Sequence, residues 1–161
     1  TDPVSLMGYR AAITNLIDVV EGSTPTTMYA RNKSFKHQSR AVDVEGMSDQ
    51  ANRTRRFVVV PSGSYVLSGA MRQASEPGEV TEGVTLAIAY AQNDDPSELY
   101  IVMREDLDLL AHRLRLTSLF DRDNATLQRR RILGSSVDMD SVAGGTAVLT
   151  INIEHQYRPT F

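Results

Sequence analysis

The sequence predicts an α+β domain: a mostly antiparallel sheet of about four main strands, with two helices packed on one face. Three observations predict it. Residues 84–91 alternate large and small side chains, the period-two pattern of a strand with one face on a core. Residues 96–115 follow with apolar residues at steps of four and three, the period of an amphipathic helix. The closing stretch, 147–157, alternates again. Strands with one apolar face are expected in an antiparallel sheet whose helices cover that face.

Taken in order, Asp2 and Pro3 read as the cap and first turn of a helix. Its Leu6, Tyr9, Ile13, Leu16, Ile17 and Val20 share a face, Glu21 and Gly22 end it, and Pro25 lies in the exit turn. Residues 28–56 form an excursion in which Met28, Tyr29 and Phe35 alternate loosely with polar groups. Val42 and Val44 can make a short strand there, and Gly46, Ser48, Asp49 and Asn52 suggest turns. A stretch this long without clear structure reads as a functional arm or a mobile loop. Phe57, Val58, Val59 and Val60 make a continuous apolar run, expected as a central strand buried on both faces and ended by Pro61.

Residues 61–83 form a second weakly patterned region, read as an extended excursion or a hairpin between two core strands. Tyr65, Val66 and Leu67 can pair with a neighbour, while Gly69, Ser75, Pro77 and Gly78 break any long element, and Glu76, Glu79 and Glu82 make it acidic. Val84, Leu86, Ile88 and Tyr90 then face the core. Thr85, Ala87, Ala89 and Ala91 form a small second face that leaves room for another backbone to lie close. Asp95 is placed to cap the next helix and Pro96 to occupy its first position. Leu99, Met103, Leu107, Leu110 and Leu114 are its apolar stripe; Arg104, Glu105, Asp108, His112 and Arg113 are its solvated side. Leu119 and Phe120 tuck under the domain. Residues 125–138 carry an ambiguous strand pattern, with Leu127, Arg129, Arg131 and Leu133 alternating with Gln128, Arg130, Ile132 and Gly134. Leu149, Ile151 and Ile153 mark the last strand, before a tail ending in Phe161.

Length and composition bound the function. A chain of 161 residues fits one domain, 1–161, and 41% hydrophobic with 23% charged residues is ordinary for a globular protein. No apolar run approaches the roughly 20 residues of a membrane span, and the N-terminus lacks the basic-then-apolar order of a signal peptide. A chain starting at Thr1 reads as one whose initiator Met has been removed. The absence of cysteine excludes disulfides, thiolate catalysis and cysteine zinc sites. A net charge of -3 argues against a molecule built as a whole to bind nucleic acid. His37, His112 and His155 have no ligand spacing; His112 falls on a polar helix side, and His155 shares parity with Ile153 and so reads as a partly buried strand residue. No phosphate loop, nucleophile elbow or HExxH occurs. The pairs Asp121 with Asp123 and Asp138 with Asp140 lack the further oxygens of a calcium loop and read as solvated turns. No catalytic residue, metal or cofactor is expected.

Charge placement says more than its sum. Residues 31–56 hold Arg31, Lys33, Lys36, Arg40, Arg53, Arg55 and Arg56 against three acids, and Arg129, Arg130 and Arg131 make a second basic cluster. Arginine suits forked, partly desolvated contacts with carboxylates, so a protein interface is one reading. A solvated loop beside an edge strand protected by charge is the other.

Three stretches carry a family resemblance: Thr85-Leu-Ala-Ile-Ala-Tyr-Ala-Gln-Asn-Asp-Asp-Pro-Ser-Glu-Leu99, Phe57-Val-Val-Val-Pro61, and Ala147-Val-Leu-Thr-Ile-Asn-Ile-Glu-His-Gln-Tyr157. In pattern and element order the chain resembles the tail terminator (tail completion) proteins of long-tailed bacteriophages. The likeness covers about residues 2–20 and 57–157 and rests on pattern, not on an invariant motif. It implies a structural virion protein, made in the host cytoplasm, whose hexameric ring caps the tail tube, ends its polymerisation and meets the head-side connector. The expected partners are therefore further copies of the chain, the tail tube protein and a neck or connector protein. The basic segment and the acidic group Glu76, Glu79 and Glu82 would then be complementary patches of a head-to-tail ring, with Phe161 at a contact. Reversing Arg53, Arg55 and Arg56 to Glu is expected to abolish such a ring without unfolding the subunit. Arg129, Arg130 and Arg131 would line a lumen through which DNA passes. Another neck or stopper ring is the close alternative. A nucleic-acid-binding module is the more distant one, weakened by the net acidity and by the lack of clustered exposed aromatics among the basic residues.

Overall fold

The computed structural model describes residues 8–38, 54–68, 78–92, 95–120, 127–142 and 145–158. Asp2 and Pro3, the strand at Val42 and Val44, the turns at 46–52, and Asp121 and Asp123 lie outside the described residues. The elements are α1 (Tyr9–Glu21), β1 (Lys36–His37), β2 (Arg56–Ser68), β3 (Glu79–Ala91), α2 (Pro96–Arg115), β4 (Leu127–Val142) and β5 (Thr146–Tyr157). They form an α+β fold with one sheet in the order β1-β2-β3-β5-β4, antiparallel throughout except for the two-residue β1–β2 pair.

One face of the sheet holds the core. Val84, Leu86, Ile88 and Tyr90 of β3 and Leu149, Ile151 and Ile153 of β5 meet Leu16, Val19 and Val20 of α1. Leu99, Val102, Met103, Leu107, Leu110 and Leu114 of α2 complete the cluster. The alternation at 84–90 therefore predicts its buried face correctly, and both helices lie on it. The opposite face presents Thr85, Ala87, Thr150, Asn152 and Ser136, all partly or fully exposed.

Helix α2 starts as its sequence requires. The Asp95 carboxylate accepts from Ser97 N at 3.1 Å and Glu98 N at 3.2 Å, Pro96 follows it, and His112, Arg113 and Arg115 face the negative end of the dipole. Asp95→Ala is expected to lower stability by about 1 kcal/mol, measured as a shift in urea midpoint.

Three expectations need correction. The run 57–60 is not a central strand buried on both faces: among the described residues β2 is flanked on its outer side only at Arg56 and Phe57, and Val60 is exposed. Pro61 does not end it either. The Phe57 carbonyl faces outward to Gln38 N, so by alternation Pro61 also turns its nitrogen outward, where a missing N–H breaks no bond to β3. Of the two readings of 61–83, the structure bears out the hairpin at its ends. Residues 65–68 pair with 79–82, and the two strands make one hairpin arm continuous with the sheet. A bulge absorbs Ser62, Gly63 and Ser64 opposite Gly83; Gly63 takes φ 86, and a Cβ on Gly83 would collide with both serine hydroxyls. Finally, the first part of the 28–56 excursion belongs to the core. Phe35 is buried, and buried Tyr29 donates its hydroxyl to the Ala91 carbonyl at 2.8 Å.

Candidate subunit interface

The basic segment divides into an anchor and a surface. Arg55 is the anchor. It has φ 61, a left-handed conformation that costs a non-glycine residue about 1–3 kcal/mol. Its side chain is fully buried and over-determines that conformation. Nε and Nη2 donate to the two oxygens of Asp106 at 2.8 and 3.0 Å, Nη1 to the Asn32 carbonyl at 2.6 Å, and Nη2 to the Thr27 carbonyl at 2.7 Å. Tyr90 adds its hydroxyl to Asp106 Oδ2 at 2.6 Å, and the guanidinium lies 5.8 Å from the Phe35 ring centroid. One cation thus joins β2, α2, β3 and the 27–32 turn. Burial pushes the Asp106 carboxyl above its ordinary range, and the bonds from Arg55 and Tyr90 oppose the rise. Arg55 is therefore no interface residue: it holds its own subunit together. Arg31, Lys33 and Lys36 are exposed and Arg56 is partly so. Arg40 and Arg53 lie outside the described residues.

The second cluster divides in the same way. Arg130 is buried and does not face a lumen. It donates to Asn15 Oδ1 at 3.0 Å and to the carbonyls of Ala12 and Leu114 at 3.2 and 3.4 Å, above the Phe120 ring. The bulge between Leu127 and Arg129 turns it toward the helices. Burial lowers its pKa to about 10. Arg129 is exposed on the other face, and Arg131 forms an exposed ion pair with Glu154 at 2.6 Å. Beside Arg130 lies His155, wholly buried and edge-on to Tyr157, with Glu82 as its neighbour on β3. Part of the acidic group is used within the sheet. Glu82 accepts from the Tyr157 hydroxyl at 2.8 Å, and Glu79 accepts from Gln156. Glu76 and Phe161 lie outside the described residues.

Several large apolar side chains are exposed, and five of them lie on the two edge strands. The arm exposes Val60, Tyr65, Val66 and Leu67, with Tyr65 and Val66 at 58% and 57% of their full area. On β4, Leu133 is 56% exposed. At the far end of the strands Tyr100 and Ile101 are exposed and, with Pro96, Ser97 and Met139, line an open cavity of about 410 Å³.

Three buried charges, Arg55, Asp106 and Arg130, are missed by sequence reasoning, and the last two leave a signal. Asp106 sits three residues after Met103 and four before Leu110, on the apolar stripe. Arg130 shares parity with Ile132 and not with the exposed arginines on either side. No protein-family model matches the chain, and no curated protein matches it.

Proposed function

We propose that the chain is a ring-forming structural subunit of a long-tailed phage, a tail terminator that caps the tube and joins it to the head-side connector. The observation that carries this reading is the hairpin arm: its β2 strand presents apolar residues to water along a strand edge. Contiguous exposed apolar surface on a strand edge marks an assembly contact. The exposed cations Arg31, Lys33 and Lys36 support the reading, because charge of one sign beside such an edge steers and registers a neighbour. The family resemblance supplies the identity of the ring; the arm supplies the reason for one.

Light scattering on a sizing column, alone and with isolated tail tubes, tests it. The expected result is a particle of about six 17.8 kDa chains, or a monomer that becomes one on the tube and halts its growth. A protein that stays monomeric and leaves tube growth unchanged would refute the reading. The original triple reversal cannot serve, because Arg55→Glu would unfold the subunit. Arg31→Glu, Lys33→Glu and Lys36→Glu together are expected to weaken assembly while leaving the urea midpoint unchanged. An unchanged particle mass in that variant would remove the basic surface from the interface.

A further inference from the structure

The sheet has two edges, and they match each other. Along β2, residues 58–68 have no outer partner among the described residues; β4 is the last strand on the other side. The register places the two edges at the same height. Leu67 stands opposite Val80, Val80 opposite Tyr157, and Tyr157 opposite Leu127. At the other end, Val58 stands opposite Ala87, Ala87 opposite Thr150, and Thr150 opposite Ser136. Because three antiparallel steps separate them, β2 and β4 run in opposite directions. A copy rotated about an axis along the strands would therefore bring its β4 beside this β2 as an antiparallel pair, with the same face of each sheet turned inward.

Side chains along the two edges agree with that placement. Val60, Tyr65, Val66 and Leu67 are exposed on one edge and Leu133 on the other. The charges are complementary at both ends. Glu79 lies on the β3 strand of the arm, on the same face as Arg129, which lies at the height of Val66 and Thr81 on β4. One register line runs Lys36, Arg56, Ala89, Val148, Asp138, with a lysine at the β1 edge and an aspartate at the β4 edge. The pattern fits head-to-tail pairing, in which two different patches meet.

We infer that residues 58–68 of one copy pair antiparallel with residues 127–136 of a second copy, so that the sheet continues from subunit to subunit. The backbone groups of both edges supply the hydrogen bonds, and the apolar and charged side chains fix the register. The inference rests on the ring reading for closure into a ring, but the edge pairing is a statement about two copies alone.

The test uses two edge-blocked forms of the full chain. Val60→Lys with Val66→Lys blocks β2, and Arg129→Glu with Leu133→Lys blocks β4; all four positions are exposed, so the urea midpoint should hold. Each form alone is expected to self-associate at least about tenfold more weakly than the unaltered chain and to run as a monomer. Mixed one to one they retain one good β2 edge and one good β4 edge, and are expected to give a heterodimer that grows no further. A β2-blocked form that keeps the parent mass overturns the inference, and so does a mixture that builds full rings or stays monomeric. A ring that is indifferent to these blocks yet caps tubes would sink the edge pairing and keep the tail reading. A ring that responds to them but ignores tubes would do the reverse.

Discussion

Asp106→Ala is expected to lower the free energy of unfolding by about 3–5 kcal/mol, the cost of leaving a buried charge without its counter-ion. Arg55 would lose both of its carboxylate bonds, Tyr90 would lose the acceptor of its hydroxyl, and no water reaches either group. The strained backbone at Arg55 would also lose part of what holds it. Out of a typical total of about 5–15 kcal/mol this is a large share. The 27–32 turn, tied to Arg55 through two carbonyls, should loosen first, uncovering Tyr29 and Phe35. Urea unfolding measures the loss. A companion variant, Arg55→Met with Asp106→Leu, should recover most of it, since apolar side chains can replace a buried pair at little cost. A single variant within 1 kcal/mol of the parent would show that the pair contributes no net stability.

The same cluster shows where the sequence is legible and where it is not. Strand β3, helix α2 and strand β5 are read correctly because one face of each is apolar with an uninterrupted period. Val84 to Tyr90, Leu99 to Leu114 and Leu149 to Ile153 all contribute buried residues to a single cluster. Strand β4 resists reading because bulges reset its alternation at three places, so Arg130 points inward between two outward arginines. The arm is legible only as one of two readings, excursion or hairpin, for a related reason. Beyond Gly83, residues 65–67 are exposed on both faces, and no period-two contrast exists to mark a strand that only its partner strand supports. Arg55 is missed because the local rule is sound and the context overrides it. An arginine in a polar run is ordinarily solvated, and only the carboxylate 51 residues away, offered by α2 at a position of its own apolar stripe, makes burial favourable. The assignment of a site from charge runs alone therefore failed at the two residues that the fold uses most heavily. It holds for Arg31, Lys33, Lys36 and Arg129 only as a statement that they are exposed.

Stability is expected to fall as pH drops from about 6.5 toward 3, with His155 as the main source. Burial first, and then the neighbouring Arg130, lowers its imidazole pKa to about 3 from 6.5. Between those values the unfolded chain takes up a proton that the folded chain refuses, so each step toward acid favours unfolding. Above about 6.5 both states hold a neutral ring and the contribution is constant; below about 3 both hold the proton and the loss is complete. At pH 5 the loss is about 2 kcal/mol, and when complete about 5 kcal/mol. Glu82 on β3, Tyr157 beside it on β5 and Arg130 on β4 surround the ring, and neither ring nitrogen has a hydrogen-bond partner among them. Asp106 acts in the opposite sense. Its raised carboxyl pKa lets the fold hold a proton more readily than the unfolded chain, which offsets part of the loss at the acid end. Replacing the ring with a leucine separates the two. His155→Leu should flatten the difference in urea midpoint between pH 7 and pH 5 while leaving the Asp106 contribution in place. If parent and variant lose the same stability over that interval, the acid sensitivity comes from another group. If the variant loses almost none, the His155 imidazole, between Glu82 and Arg130 at the base of the arm, is the group through which acid destabilises the fold.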